Sequence, residues 1–174
     1  MPNSTKKTIL VVDDEEDIRD YLSAILTDEG FNVITANDGD SALREVKKEV
    51  PDLISLDLVM PKKSGAKFHR ELTKNPDWAK IPVLIVTGHA RDDSGRTDLR
   101  ELTMSGPGIY LEKPVKPRNY LAAIKKLLKI EISEDDEIAA SEVELQNELK
   151  NLIDASDVNT LKALKKLINN SLKE

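Results

Sequence analysis

The sequence predicts a doubly wound α/β fold, a parallel sheet covered by helices on both faces, followed by a C-terminal helical hairpin. Three observations predict it. Short apolar runs alternate with helix-period segments along the first 130 residues. Those runs are apolar at consecutive positions, as strands buried on both faces require. The last 44 residues carry helix periodicity alone.

The runs Thr8-Ile-Leu-Val-Val12, Asp52-Leu-Ile-Ser-Leu56, Pro82-Val-Leu-Ile-Val86 and Ile109-Tyr-Leu111 read as strands, with a weaker one at Phe31-Asn-Val-Ile-Thr35. Between them, Ile18, Leu22, Ile25 and Leu26 form one helical face that ends at Gly30. Ala42, Leu43 and Val46 form a second after the Asp38-Gly-Asp turn. Phe68 and Leu72 form a third before Asn75-Pro76, with Ser64 as its cap, and Trp78 plugs the loop that follows. After Asp92-Asp-Ser-Gly-Arg-Thr only Asp98 to Thr103 reads as helical before Ser105-Gly-Pro-Gly, so a short or mobile fourth helix is expected there. Leu121, Ile124, Leu127 and Leu128 give the next helix, after Pro117. A boundary is expected near residue 130, separating a domain of residues 1–130 from an extension of residues 131–174.

In the extension Ser133 and Asp136 open a helix. Ile138, Leu145, Leu149, Leu152 and Ile153 make one apolar stripe, and Val158, Leu161, Leu164, Ile168 and Leu172 make another beyond Ala155-Ser-Asp157. Residues 1–130 hold 21 basic and 21 acidic residues, whereas residues 131–174 hold 5 and 11, so the chain's net charge of −6 lies wholly in this hairpin. A piece of this size needs a surface to pack on, either its own domain or a second copy as a homodimer.

Composition excludes several function classes. No apolar run approaches the about 18 residues of a membrane span, and the stretch after Lys6 and Lys7 is too short for a secretory signal core. The absence of cysteine removes disulfides, thiolate metal sites and cysteine nucleophiles, and fits a cytoplasmic protein. Six aromatic residues and a negative net charge disfavour nucleic acid as a partner.

In an open parallel sheet, residues just past the strand C-termini gather along one edge, where ligands bind. Here they are Asp13 and Asp14, Asp57, Thr87 and Gly88, and Lys113 and Pro114. Crowded carboxylates repel one another, and an oxygen-loving divalent cation such as Mg²⁺ relieves the repulsion. Lys113 offers a cation to a phosphoryl oxygen, Thr87 a hydroxyl and Gly88 an open backbone N–H. The chemistry these groups imply is phosphoryl transfer.

Asp13-Asp14, Asp57-Leu-Val-Met60-Pro61 with Gly65, Thr87-Gly88, and Tyr110 three residues before Lys113-Pro114, taken together and in this order, resemble the receiver domain of bacterial two-component response regulators over residues 6–130. The resemblance implies a flavodoxin-like sheet of order 2-1-3-4-5. It implies Asp57 as phosphoacceptor, with Mg²⁺ held by Asp13, Asp14, Asp57 and the backbone carbonyl of Val59. It further implies Lys113 at the phosphoryl group, Thr87 and Tyr110 as a switch pair, and a cis peptide between Lys113 and Pro114. The donor would be a sensor histidine kinase or phosphotransfer protein, and the output a protein partner. Val59 and His89 stand where they could screen an aspartyl phosphate from water. Two alternatives differ in class: a haloacid-dehalogenase-like phosphohydrolase, for which Asp57-Leu-Val59 lacks the second acid, and a DNA-binding regulator with a minimal output domain.

Overall fold

Five strands define the sheet in the computed structural model, which describes residues 6–60, 64–88 and 109–171. They are β1 (Thr8–Val12), β2 (Asn32–Ala36), β3 (Leu53–Leu56), β4 (Val83–Thr87) and β5 (Tyr110–Glu112). All neighbours pair in parallel, in the order β2-β1-β3-β4-β5. The expected fourth helix around residues 98–103, and His89, lie outside the described residues.

Alternation along the strands sorts the core into two layers. Leu10, Val12, Ile54, Leu56, Ile85 and Tyr110 point to one face, where they meet Ala42 and Val46 of α2 (Gly39–Lys48) and Phe68 and Leu72 of α3 (Gly65–Thr73). Ile9, Val11, Leu53, Leu84 and Leu111 point to the other, against Leu22 and Leu26 of α1 (Glu16–Asp28) and Tyr120 and Ile124 of α4 (Pro117–Leu127). Trp78, in a short 3₁₀ turn, is half-buried against the first layer.

Local chemistry sets the helix ends. Gly30, at φ +92°, takes the left-handed conformation beyond α1, and Phe31 N–H reaches back to the carbonyl of Leu26 at 3.0 Å. The Asp38 carboxylate accepts from Ser41 N–H at 2.7 Å while Asp38 N–H donates to Ser41 Oγ at 3.1 Å, closing a capping box on α2. Ser64 Oγ accepts from Lys67 N–H at 3.3 Å and starts α3.

The extension forms α5 (Glu134–Ala155) and α6 (Val158–Ser171), with Ser133 and Asp157 capping them. The first turns of α5 are held by charge. Lys125 Nζ bridges Glu29 at 2.6 Å and Asp136 at 3.1 Å, and Arg118 donates to the Asp135 carbonyl at 2.6 Å. Ala139 and Ala140 then pack on Ala122, and Val143 joins the second core layer. The residues buried here therefore differ from the stripe of large aliphatic residues, since Ile138, Leu145, Leu149, Leu152 and Ile153 all remain exposed. Small side chains let two helices approach closely, and a count of large apolar residues overlooks them.

The chain divides into two compact units, residues 1–143 and 144–174. This division also redistributes the charge. Residues 131–143 hold six acidic residues and no basic one, whereas residues 144–174 hold five of each. The acidity belongs to the entry of α5, and the second unit is neutral.

One ionic contact ties the start of β1 to the start of β3. The Asp52 carboxylate accepts from Thr8 N–H at 2.8 Å and from Lys7 Nζ at 2.8 Å. Burial alone would raise its pKa, but the Lys7 and Thr8 hydrogen bonds outweigh it and leave the group below its usual 3.8. Ionised Asp52 therefore stabilises the fold above its unfolded pKa, and that contribution disappears as pH falls through the lower folded value. Asp52→Asn is expected to lose less stability than the parent chain between neutral pH and that acid range. Urea titrations at stepped pH would measure this; identical pH slopes would refute it.

Candidate functional site

The sheet order reverses about β1, since β2 lies on one side and β3 on the other. Such a reversal opens a crevice at the strand C-termini. Backbone pairing runs one residue past the strands here. Asp13 N–H donates to the Ala36 carbonyl at 3.1 Å, Asp57 N–H to that of Val12 at 2.9 Å, and Lys113 N–H to that of Thr87 at 3.2 Å. The alternation Ile9-Val11-Asp13, Leu53-Ser55-Asp57 and Leu111-Lys113 places all three functional side chains on the α1/α4 side of the sheet.

There they form one ionic cluster. Lys113 Nζ lies 2.7 Å from Asp13 Oδ2, 2.9 Å from Asp57 Oδ2 and 3.1 Å from Glu15 Oε1. Asp13 and Asp57 are only 2% and 3% exposed, so their charges have lost most of their water. Each carboxylate is also anchored by a nearby amide: Glu15 N–H donates to Asp13 Oδ1 at 3.0 Å, and Val59 N–H to Asp57 Oδ1 at 3.1 Å. Burial raises the pKa of Asp13 despite the hydrogen bonds from Lys113 and Glu15. For Lys113 the balance is reversed. Burial pulls its pKa down, but Asp13 and Asp57 outweigh it and hold the ammonium firmly protonated.

Asp14 is the most open of the three aspartates, and carboxylate oxygens of Asp13, Asp14 and Asp57 all lie within 4.8 Å of one another. An all-oxygen donor set of this kind fits a hard divalent cation.

Two residues that the sequence analysis did not select complete the cluster. Arg19 Nη1 donates to the carbonyls of Asp13 at 2.8 Å and Asp14 at 3.0 Å, fixing the acidic loop from the first turn of α1. Glu15 supplies the third acceptor for Lys113. Both follow the acidic pair closely in sequence, and the signal was an arginine one helical turn beyond Glu15.

Thr87 is buried and ends β4. It shares the α2/α3 side of the sheet with Tyr110, which pairs with Ile85 two residues earlier. The Lys113–Pro114 peptide is cis. Val59 is half-buried against the first core layer.

The two glycines near the site have different reasons to be there. A Cβ on Gly65 would overlap the Asp57 carbonyl oxygen and lie 2.8 Å from the Asp57 carbonyl carbon and 2.9 Å from Leu58 Cα. Gly65 N–H meanwhile donates to the Leu58 carbonyl at 3.0 Å, so α3 begins pressed against the backbone that carries Asp57. A Cβ on Gly88 would only touch the alkyl chain of Lys113, at 3.8 and 3.9 Å.

Fold and site together define a doubly wound α/β protein with a lysine-bridged aspartate cluster at its topological switch point. The family of the response regulator receiver domain matches residues 9–125, and the chain belongs to it. The alkaline phosphatase synthesis transcriptional regulatory protein PhoP of Bacillus subtilis is 38% identical over 143 residues, covering 82% of this chain and 55% of that protein. The phosphate regulon transcriptional regulatory protein PhoB of Escherichia coli is 32% identical over 123 residues, covering 71% and 52%. The chain thus spans about half the length of these relatives. A CheY-like receiver domain protein from Methanospirillum hungatei superposes with a TM-score of 0.63 at 29% identity, over 72% of this chain and 95% of that one. Among the described residues, no helix is long and apolar enough to cross a membrane.

Gly65→Ala is expected to cost about 1–3 kcal/mol by forcing backbone apart. Gly88→Ala, at an exposed position, should change stability by less than about 0.5 kcal/mol. Chemical denaturation of both variants would check the contrast, and equal effects would contradict the packing described for Gly65.

Proposed function

We propose that this chain is a phosphorylation-driven signalling switch in which Asp57 accepts a phosphoryl group from the phosphohistidine of a sensor histidine kinase or phosphotransfer protein. The observation that carries the proposal is the cluster itself: Asp57 is buried, oriented by Val59 N–H, and shares one ammonium with Asp13. An Asp57 carboxylate oxygen attacks phosphorus, a P–O bond forms as the P–N bond breaks, and the imidazole leaves. Asp13, Asp14 and Asp57 with the Val59 carbonyl would hold Mg²⁺, which when bound supplies the charge neutralisation that phosphoryl transfer into an acidic site needs.

The remaining roles fall to this chain's own groups. Lys113 follows the transferred group and pairs with one of its oxygens. Gly88 N–H and the Thr87 hydroxyl offer donors to the others. Thr87, drawn toward the new phosphoryl group, and Tyr110 would act as the switch pair, carrying the signal to a protein partner. Val59 and His89, each two residues beyond Asp57 and Thr87 in sequence, would lengthen the lifetime of the acyl phosphate.

Incubation with acetyl phosphate and Mg²⁺, followed by intact-mass measurement, should show addition of one phosphoryl group to the parent chain. Asp57→Asn and chelation of the metal should each abolish it, and Asp14→Ala should raise the Mg²⁺ concentration required while leaving the fold intact. Undiminished labelling of Asp57→Asn would place the acceptor elsewhere and sink the proposal.

A further inference from the structure

In the unit of residues 144–174, α5 and α6 leave most of their large apolar side chains in water. Leu145, Leu149, Leu152 and Ile153 on α5, with Leu164 and Ile168 on α6, are between 41% and 62% exposed. The spacing is regular: Leu145, Leu149 and Leu152 step by four and three, and Leu161, Leu164 and Ile168 by three and four. That alternation is the seam of helices that pack knobs into holes against other helices. We infer that residues 144–171 pair with the same segment of a second copy of this chain, forming a homodimer through α5 and α6.

Charge selects a second copy as the occupant. From Glu144 onward, α5 carries Glu144, Glu148 and Asp154 against Lys150, whereas α6 carries Lys162, Lys165 and Lys166 and no acid. In a two-fold interface each copy meets the same patch on the other, so the acidic α5 of one faces the basic α6 of its mate twice over. The segment is neutral as a whole, so the two paired segments carry no net charge to repel one another.

The association depends on helix faces alone, so it is measured on the unphosphorylated full chain. Sedimentation velocity should give twice the monomer mass, and Leu149→Gln combined with Ile168→Gln should weaken the dimer by at least about tenfold. Circular dichroism would verify that the helices persist. A charge exchange separates pairing between copies from pairing within one. Lys162→Glu with Lys166→Glu makes both helices acidic, and Glu148→Lys with Asp154→Lys makes both basic. Each variant alone should be monomeric, and mixing the two should restore a dimer containing one of each. A parent chain that stays monomeric at every concentration overturns the inference and leaves the stripes to a different protein. A dimer that ignores both pairs of substitutions overturns it as well.

Discussion

The parallel pairing of β1 with β3 is the constraint on which the site depends. Because Val12 pairs with Leu56, the next residue of each strand, Asp13 and Asp57, emerges at the same level of the sheet and on the same side. The hydrogen bond from Asp57 N–H to the Val12 carbonyl extends the ladder into the loop and removes any slack. A slip of one residue would send one carboxylate to the opposite face. The burial of both strands forbids such a slip, since every position of β1 and β3 is buried. Bulk packing is thus converted into placement of two charges.

Placing two desolvated carboxylates together carries an electrostatic cost, and the structure answers it with Lys113. The third strand of this arrangement, β5, is only three residues long, yet it reaches the cluster because Lys113 N–H continues the pairing with β4. Arg19 holds the loop by donating to the Asp13 and Asp14 carbonyls, which leaves their carboxylates for other partners. Gly65 fixes the remaining boundary by letting α3 start in contact with the Asp57 backbone.

How much of this the sequence disclosed follows from the kind of signal each part leaves. Strands β1, β3 and β4 are near-continuous aliphatic runs, and their ends could be read to within a residue. The aspartates and Lys113 were legible because parallel topology turns strand ends into a list of neighbours. Arg19 and Glu15 were not, since a charged residue at the start of a helix ordinarily faces solvent. The extension misled for a different reason. Its largest side chains outweigh its alanines on any hydrophobicity count, yet Ala139, Ala140 and Val143 are the apolar residues α5 buries, and the exposed leucines are left for another surface. The charge count over 44 residues likewise averaged an acidic entry with a neutral remainder.

The ammonium of Lys113 has three hydrogens, and three carboxylates surround it at 2.7, 2.9 and 3.1 Å. Its donors are fully subscribed. An anion arriving beside Asp57 therefore cannot simply be added to the cluster; it must enter by exchange, displacing one of the oxygens already there. Glu15 is the natural one to yield, because it makes the longest of the three contacts and its side chain is 62% exposed, so water takes it back at little cost. The residue that looks most peripheral then sets the threshold: a stronger grip by Glu15 would make the site slower to respond, and a weaker one would leave Lys113 ready for an incoming charge.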